Sequence, residues 1–384
     1  MRHKTLVVLF SVAVTALLLA QPRAQSKDDF GRLDRISSFV ADVMRTYEVP
    51  GVSVAVFTDF QIEWAKGFGV ASVATRQPVD AQTLFQAASI SKPVAAAAAL
   101  QMVQEGKLGL DTPINTYLTS WKLPASDLAA NVPVTLRRIL SHTAGVSVHG
   151  FKGYESSAKV PTLVQVLDGQ PPANSDPVRI TIKPGTKYEY SGGAYTIMQL
   201  AMTDITKLPF PEIMRTRVLQ PAGMHFSTYE QPIPDALVKY ATAGHVGHGA
   251  LLPGGRNTYP EMAAAGLWTT PSDLARFGME IERARAGRAG AVLSKEMADL
   301  MATPEPGIEA MKGPDGMESY YGHGFEVYKR AGKSFYGHTG GNEGYRCMLV
   351  LFPEGGHGVA VMTNADVFEA VRQIVERIIA EYGW

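Results

Sequence analysis

Ser89-Ile90-Ser91-Lys92-Pro93 runs directly into the apolar stretch Val94 to Leu100. Proline lacks a backbone N–H and fits a helix only within its first turn, so a helix is expected to begin at or just before Ser89. Ser89 and Lys92, one turn apart, then project from one face at the positive end of the helix dipole. A lysine desolvated there, or placed beside a second cation, loses its proton near neutral pH and can activate the serine hydroxyl for attack on a carbonyl. Taken alone, the four-residue pattern occurs often by chance and reads first as a capping serine followed by a solvated lysine.

Two further segments can carry chemistry. Pro184-Gly185-Thr186-Lys187-Tyr188-Glu189-Tyr190-Ser191-Gly192-Gly193 reads as a turn and loop entering a helix at Ala194. A tyrosine on such a Gly-flanked loop can reach a shared cavity and move a proton, or it can simply pack as an aromatic. Tyr336-Gly337-His338-Thr339-Gly340-Gly341 reads as a strand whose terminal glycines allow a substrate backbone to approach closely.

Outward from these segments, the chain divides by periodicity. Phe30 to Glu48 places Phe30, Leu33, Ile36, Phe39, Val40, Val43 and Met44 on one helical face. Val52 to Val56 and Ile62 to Val70 read as a hairpin around the Thr58 to Phe60 turn. Near the other end, Gly324 to Lys329, Ser334 to His338, Tyr345 to Phe352 and His357 to Thr363 form a strand series with Gly-rich turns, followed by a helix over Val367 to Tyr382. Short connections imply antiparallel neighbours. A hairpin alone is not a stable sheet, so the N-terminal pair is expected to join the C-terminal series in one sheet covered by the two terminal helices.

That expectation makes residues 25–80 with 320–384 a sheet domain and residues 81–319 a mainly helical insertion within a single catalytic module. Helical patterns in the insertion run over Lys92 to Glu105, Val134 to Leu140, Ala194 to Thr206, Phe210 to Val218, Pro271 to Arg283 and Lys295 to Met301. Thr270, Pro271 and Asp273 supply a cap, a first-turn proline and a first-turn acid. No internal repeat or long linker separates independent units.

Composition narrows the classes. With 384 residues, 46% apolar and 19% charged, the chain can bury a sizeable core, and disordered or fibrous architectures are excluded. Lys plus Arg equals Asp plus Glu at 36 each. Without a basic patch, nothing points to nucleic acid or an anionic membrane surface as a partner. Arg2, His3 and Lys4, the apolar run Leu6 to Ala20, and small residues at Ala20 and Ala24 have the layout of a secretory signal peptide over residues 1–24. The run falls short of the roughly 20 residues a spanning helix needs. Cleavage, export to the periplasm or medium, and no stable membrane insertion are therefore expected. Loss of Arg2, Lys4 and Arg23 would leave the mature chain slightly acidic. Cys347 is the single cysteine, so no internal disulfide can form and stability must come from the core.

Order and spacing join the three chemical segments. S-x-x-K at 89, Y-S at 190 and H-T-G at 338, with a hairpin, an insertion and a strand series around them, resemble the penicillin-recognising serine hydrolases: class C β-lactamases, D,D-peptidases and family VIII esterases. The resemblance extends from about Arg32 to Glu381. It includes Leu140-Ser141-His142-Thr143-Ala144-Gly145, Gln220-Pro221-Ala222-Gly223-Met224 and Gly266-Leu267-Trp268, whose roles are read as structural. It implies an α/β (α+β) β-lactamase/transpeptidase-like fold, with a cleft between sheet and insertion. It implies Ser89 as the acylated nucleophile, Lys92 as its proton partner and Tyr190 as general acid or base. Ser89 and Gly341 N–H groups would form the oxyanion hole. His338, Thr339, Gly340 and Gly192 would meet the substrate, and Ser334 to His338 would be free to pair with an extended acyl group.

Departures from the pattern bear on the substrate. The family's Y-x-N asparagine is Gly192 here, and the K-T-G lysine of true β-lactamases is His338, whose ordinary pKa near 6.5 leaves it mostly neutral at pH 7. Both changes remove groups suited to penicillins. No E-x-x-L-N segment is present to activate a deacylating water, which is expected to use Tyr190 instead. The expected activity is hydrolysis of a small carboxylic ester or amide, ahead of D,D-carboxypeptidase, D-aminopeptidase or weak β-lactamase activity. A non-enzyme rival is an acyl sensor or peptidoglycan-binding protein that deacylates slowly. No G-x-S-x-G offers another serine. His245 and His248 have metal-like spacing but no H-E-x-x-H and no carboxylate close in sequence, so neither a metal nor a cofactor is expected. No motif speaks to oligomeric state.

Overall fold

Val52, Val54 and Val56 alternate with Ser53, Ala55 and Phe57 along β1 (Gly51–Thr58), and all six are buried. A strand apolar on both faces belongs inside a sheet covered on both sides. In this computed structural model, which describes residues 27–384 except 289, 314, 315, 331 and 354, β1 occupies such a position. The signal peptide expected over residues 1–24 lies outside the described residues.

β1 pairs with its hairpin mate β2 (Gln61–Gly69). The other strands of the sheet are β3 (Met311–Lys312), β4 (Glu318–Tyr321), β5 (Glu326–Arg330), β6 (Lys333–Asn342), β7 (Tyr345–Phe352) and β8 (His357–Thr363). All neighbours are antiparallel, in the order β2-β1-β8-β7-β6-β5-β4-β3. The N-terminal hairpin joins the C-terminal series through β1 and β8, with Val54 opposite Val361 and Ala55 opposite Ala360. The sheet also reaches back to Met311, so the boundary expected at 320 falls inside β4. β3 and β4 are too short for periodicity to reveal.

Five longer helices organise the rest: α1 (Lys27–Thr46), α2 (Ser91–Gln104), α3 (Gly192–Thr206), α4 (Pro271–Arg285) and α5 (Phe368–Tyr382). α1 and α5 cover one face of the sheet, where Ile36, Val40, Val371, Ile374, Val375 and Ile378 pack on Val52, Val54, Val56 and Val361. Trp64 Nε1 donates to Tyr382 Oη at 2.9 Å, and Tyr382 donates to Glu63 at 2.7 Å, tying hairpin to last helix. α4 lies on the other face against β1 and β8. Its approach is close because residue 278 is glycine: a Cβ there would stand 2.5 Å from Leu351 Cδ2. Thr270 caps α4 through its hydroxyl, accepting from Asp273 N–H at 3.1 Å.

The middle of the chain packs on α2, which is buried along nearly its whole length. The helix expected over Phe210 to Val218 is shorter, Phe210–Met214, and continues as the wider π turn Arg215–Leu219. The expected free strand also differs. Lys333 to Gly337 is paired with β5 on one side, and only beyond Gly337 does β6 lose its β5 partner. The exposed edge therefore begins after Gly337, because β5 is five residues long against ten in β6.

Candidate active site

The turn carrying Ser89 is built before the helix begins. Ala88–Ile90 form a 3-10 turn and α2 starts at Ser91, so Ser89 stands on the turn rather than in the first α-helical residue. Ala88 is held at φ 49°, a left-handed conformation uncommon for a residue with a Cβ. Strain of this kind persists only where neighbours over-determine it. Here Ser91 Oγ donates to Ala88 O at 2.5 Å, Leu267 N–H donates to Ser91 Oγ at 3.0 Å, and Ala87 N–H donates to Leu267 O at 2.8 Å. Cys347 Sγ completes the clamp, donating to Ala87 O at 3.0 Å.

Lys92 is 2% exposed and reaches back from the first turn of α2. Its Nζ lies 3.0 Å from Ser89 Oγ and 2.9 Å from Ala264 O, above the rings of Tyr190 (4.8 Å) and Tyr195 (5.8 Å). Burial pulls its pKa down to about 7, against the opposing charge of Glu326. As a neutral amine it can donate one N–H to Ala264 O and keep its lone pair for the serine proton.

Tyr190 arrives from the loop before α3 and hydrogen-bonds Ser89 with its hydroxyl. Burial holds its pKa well above the usual phenol value, partly offset by that hydrogen bond. The tyrosine is gripped by His142 of the Ser141-His142-Thr143 segment. Glu189 N–H donates to His142 O at 2.8 Å, Ser191 N–H donates to His142 Nδ1 at 3.0 Å, and the imidazole stacks on the Tyr190 ring at 4.2 Å. Burial, then the Lys92 charge, keep His142 well below its ordinary pKa and hence neutral. With Nδ1 accepting, its proton belongs on Nε2.

The strand motif closes the opposite side. Thr339 N–H reaches the Glu326 carboxylate on β5. Strand geometry repeats every two residues, so Gly341 N–H leaves by the same uncovered edge. Gly340 has no room for a side chain: a Cβ would meet Ala87 O at 2.3 Å. His338 was expected to face substrate, but its ring is already committed. Nδ1 donates to Thr339 O at 2.5 Å and Nε2 accepts from Tyr321 Oη at 2.8 Å. Burial, then the Lys92 charge, push its pKa down to about 3, so it is neutral. Gly192 is likewise buried as the first residue of α3, donating to His149 O at 3.0 Å, and a Cβ there would touch the Phe151 ring at 3.0 Å.

Ser89, Lys92, Tyr190 and the glycine edge thus come together from segments far apart in sequence, while the His338 ring and Gly192 are packed against other protein groups. Sequence reasoning missed Tyr321 and Glu326, and it read His142 only as structural. Glu326 had one available signal: with Tyr328 it alternates against the apolar Phe325 and Val327. The histidine pair is also resolved. His248 meets the carboxylate of Glu48 at 2.7 Å, a partner invisible in local sequence, but it is almost fully exposed. His245 spends Nδ1 on Asn364 O and Nε2 on Val73 N–H. Among the described residues no cluster of three or more metal-binding side chains is found.

A turn-borne serine beside a buried lysine, a phenol and a glycine-edged strand is an arrangement suited to acyl transfer. The Beta-lactamase family model matches residues 36–383, and the chain belongs to that family. It is 27% identical over 341 residues to penicillin-binding protein 4 of Amycolatopsis lactamdurans, covering 85% of this chain and 84% of that one. It is 24% identical over 330 residues to esterase EstB of Burkholderia gladioli, covering 76% and 80%. Among solved structures, a D-amino acid amidase from Ochrobactrum anthropi superposes with a TM-score of 0.74 at 21% identity, over 92% of this chain and 99% of that one.

Proposed function

We propose that this protein is an exported serine hydrolase that cleaves a small carboxylic ester or amide through an acyl-serine intermediate. The observation that carries the reading is the 3.0 Å contact between Ser89 Oγ and a Lys92 amine whose pKa burial brings to about 7. Ser89 Oγ attacks the carbonyl carbon as its proton passes to Lys92 Nζ. The oxyanion is held by Ser89 and Gly341 N–H. Tyr190, kept as a phenol by burial, passes a proton to the departing alcohol or amine and is replenished from Lys92. Water then adds to the acyl carbon, gives a proton back through Tyr190 and Lys92, and frees the acid and Ser89.

Neutral His338 supports ranking esters and simple amides above β-lactams and D-Ala-D-Ala peptides, whose carboxylates favour a fixed cation. Purified protein should hydrolyse p-nitrophenyl acetate or butyrate faster than nitrocefin, and Ser89→Ala should lower ester turnover by several orders of magnitude. Mass spectrometry should show a transient acyl adduct on Ser89. Cephalosporin turnover rivalling ester turnover would reverse the ranking, a persistent adduct would favour a sensor, and an unchanged rate in Ser89→Ala would remove the site assignment.

A further inference from the structure

Glu326 opens β5 at the point where that strand stops covering β6. Its carboxylate accepts from the Thr339 N–H, the Thr339 hydroxyl and the Tyr328 hydroxyl. Two carboxylate oxygens offer about four acceptor positions, so roughly one stays open. Burial pushes its pKa up from the ordinary carboxylate value, and the three donors, together with the Lys92 charge, work against that shift. The cation facing it is Lys92, and that amine is uncharged whenever it is ready to take the serine proton. His338, the nearest imidazole on β6, is neutral as well.

The surroundings are aromatic. Tyr188 and Tyr321 hold their ring centroids 5.8 Å apart at 31°, and Tyr328 follows Glu326 on the same face of β5. Burial first, and then the Glu326 charge, raise the pKa of Tyr188 and Tyr328, and burial with the neighbouring tyrosines raises that of Tyr321, so all three remain phenols. Tyr188 and Glu326 each keep part of their surface accessible. Ring faces beside a carboxylate attract a cation and repel an anion.

We propose that Glu326, with the ring of Tyr188, forms a subsite for a positively charged group on the acyl part of the substrate, such as a primary ammonium. The inference rests on Ser89 being the acylated residue and narrows the substrate to aminoacyl esters or amides. Thr339, which holds Glu326, lies two residues before Gly341 on the same edge, a spacing of about 7 Å. An amine on the second or third carbon from the carbonyl spans that distance most readily.

The experiment compares isosteric pairs at pH 7: the methyl esters of β-alanine and γ-aminobutyric acid against methyl butyrate and methyl pentanoate, with monomethyl succinate as the anionic probe. Released acid is quantified by chromatography. The wild type should favour each amino ester over its neutral isostere by about tenfold in kcat/KM, the worth of one charge-assisted contact, and should favour monomethyl succinate least. Glu326→Gln should bring the amino-to-neutral ratio toward one, and Tyr188→Leu, on a half-exposed loop, should lower it. Because each ratio is taken within one protein, effects passing through Lys92 cancel. A wild-type ratio near or below one, or an equal loss on both substrates in Glu326→Gln, would overturn the subsite. Calorimetric binding of butylammonium against butanol to Ser89→Ala separates this inference from the hydrolase reading. Selective ammonium binding without ester turnover keeps the subsite and sinks the hydrolase. Ester turnover without selective binding does the reverse.

Discussion

Lys92 concentrates the pH behaviour of the site in one side chain. Burial lowers its pKa from 10.5 to about 7, and the facing groups are Ser89, Tyr190 and Tyr195, His142, His338 and Glu326, of which Glu326 opposes the shift. Below that pKa the ammonium has no lone pair for the serine proton; above it the amine does. For a neutral ester, kcat/KM should therefore rise with pH through about 7 and then level. Tyr190 is held well above 10, so no basic limb should appear below pH 10. Glu326→Gln removes the anion that raises Lys92 and should move the rising limb to lower pH; a profile unmoved in this variant would disprove the coupling. Lys92→Ala should flatten the limb and cost orders of magnitude in rate.

The elements matter through how closely they approach. β6 can lie against the Ser89 turn because positions 340 and 341 lack side chains, but the two glycines are not equivalent. A Cβ at 340 would fall 2.3 Å from Ala87 O and 2.4 Å from Cys347 Sγ, whereas at 341 the nearest atom is the guanidinium end of the Arg346 side chain at 3.3 Å. Gly340→Ala should thus lose about 1–3 kcal/mol to overpacking, together with ester turnover as the strand is pushed off the turn. Gly341→Ala should retain near-wild-type stability in the same urea titration. Equal stability losses at both positions would refute the steric account. At this scale the strands and longer helices were legible because their apolar periods are long. The end of β5 was not, since nothing in its composition says how far it covers β6, and that end is what places Glu326 beside the open edge.

Across the whole molecule, the sheet separates two cores. One, under α1 and α5, includes Ile36, Val371, Ile374 and Ile378; the other is built around α2, the helix that carries Lys92. Ile374→Ala should lower unfolding free energy by about 2–5 kcal/mol while leaving KM for a neutral ester unchanged, read by urea denaturation and steady-state kinetics. A large KM change would mean that the cores are not energetically separate. The amino-acid order by itself determined the helices and strands with clear periods, the joining of both chain ends in one sheet, and the serine, lysine, tyrosine and glycine-edge segments, because those signals are carried by neighbours along the chain. Only the tertiary structure decided that Ala88 is left-handed, that His142 grips Tyr190, that Tyr321 occupies His338, and that burial discharges Lys92 near neutral pH. Those outcomes depend on desolvation and on contacts between residues from 17 to 260 positions apart, which no local pattern encodes.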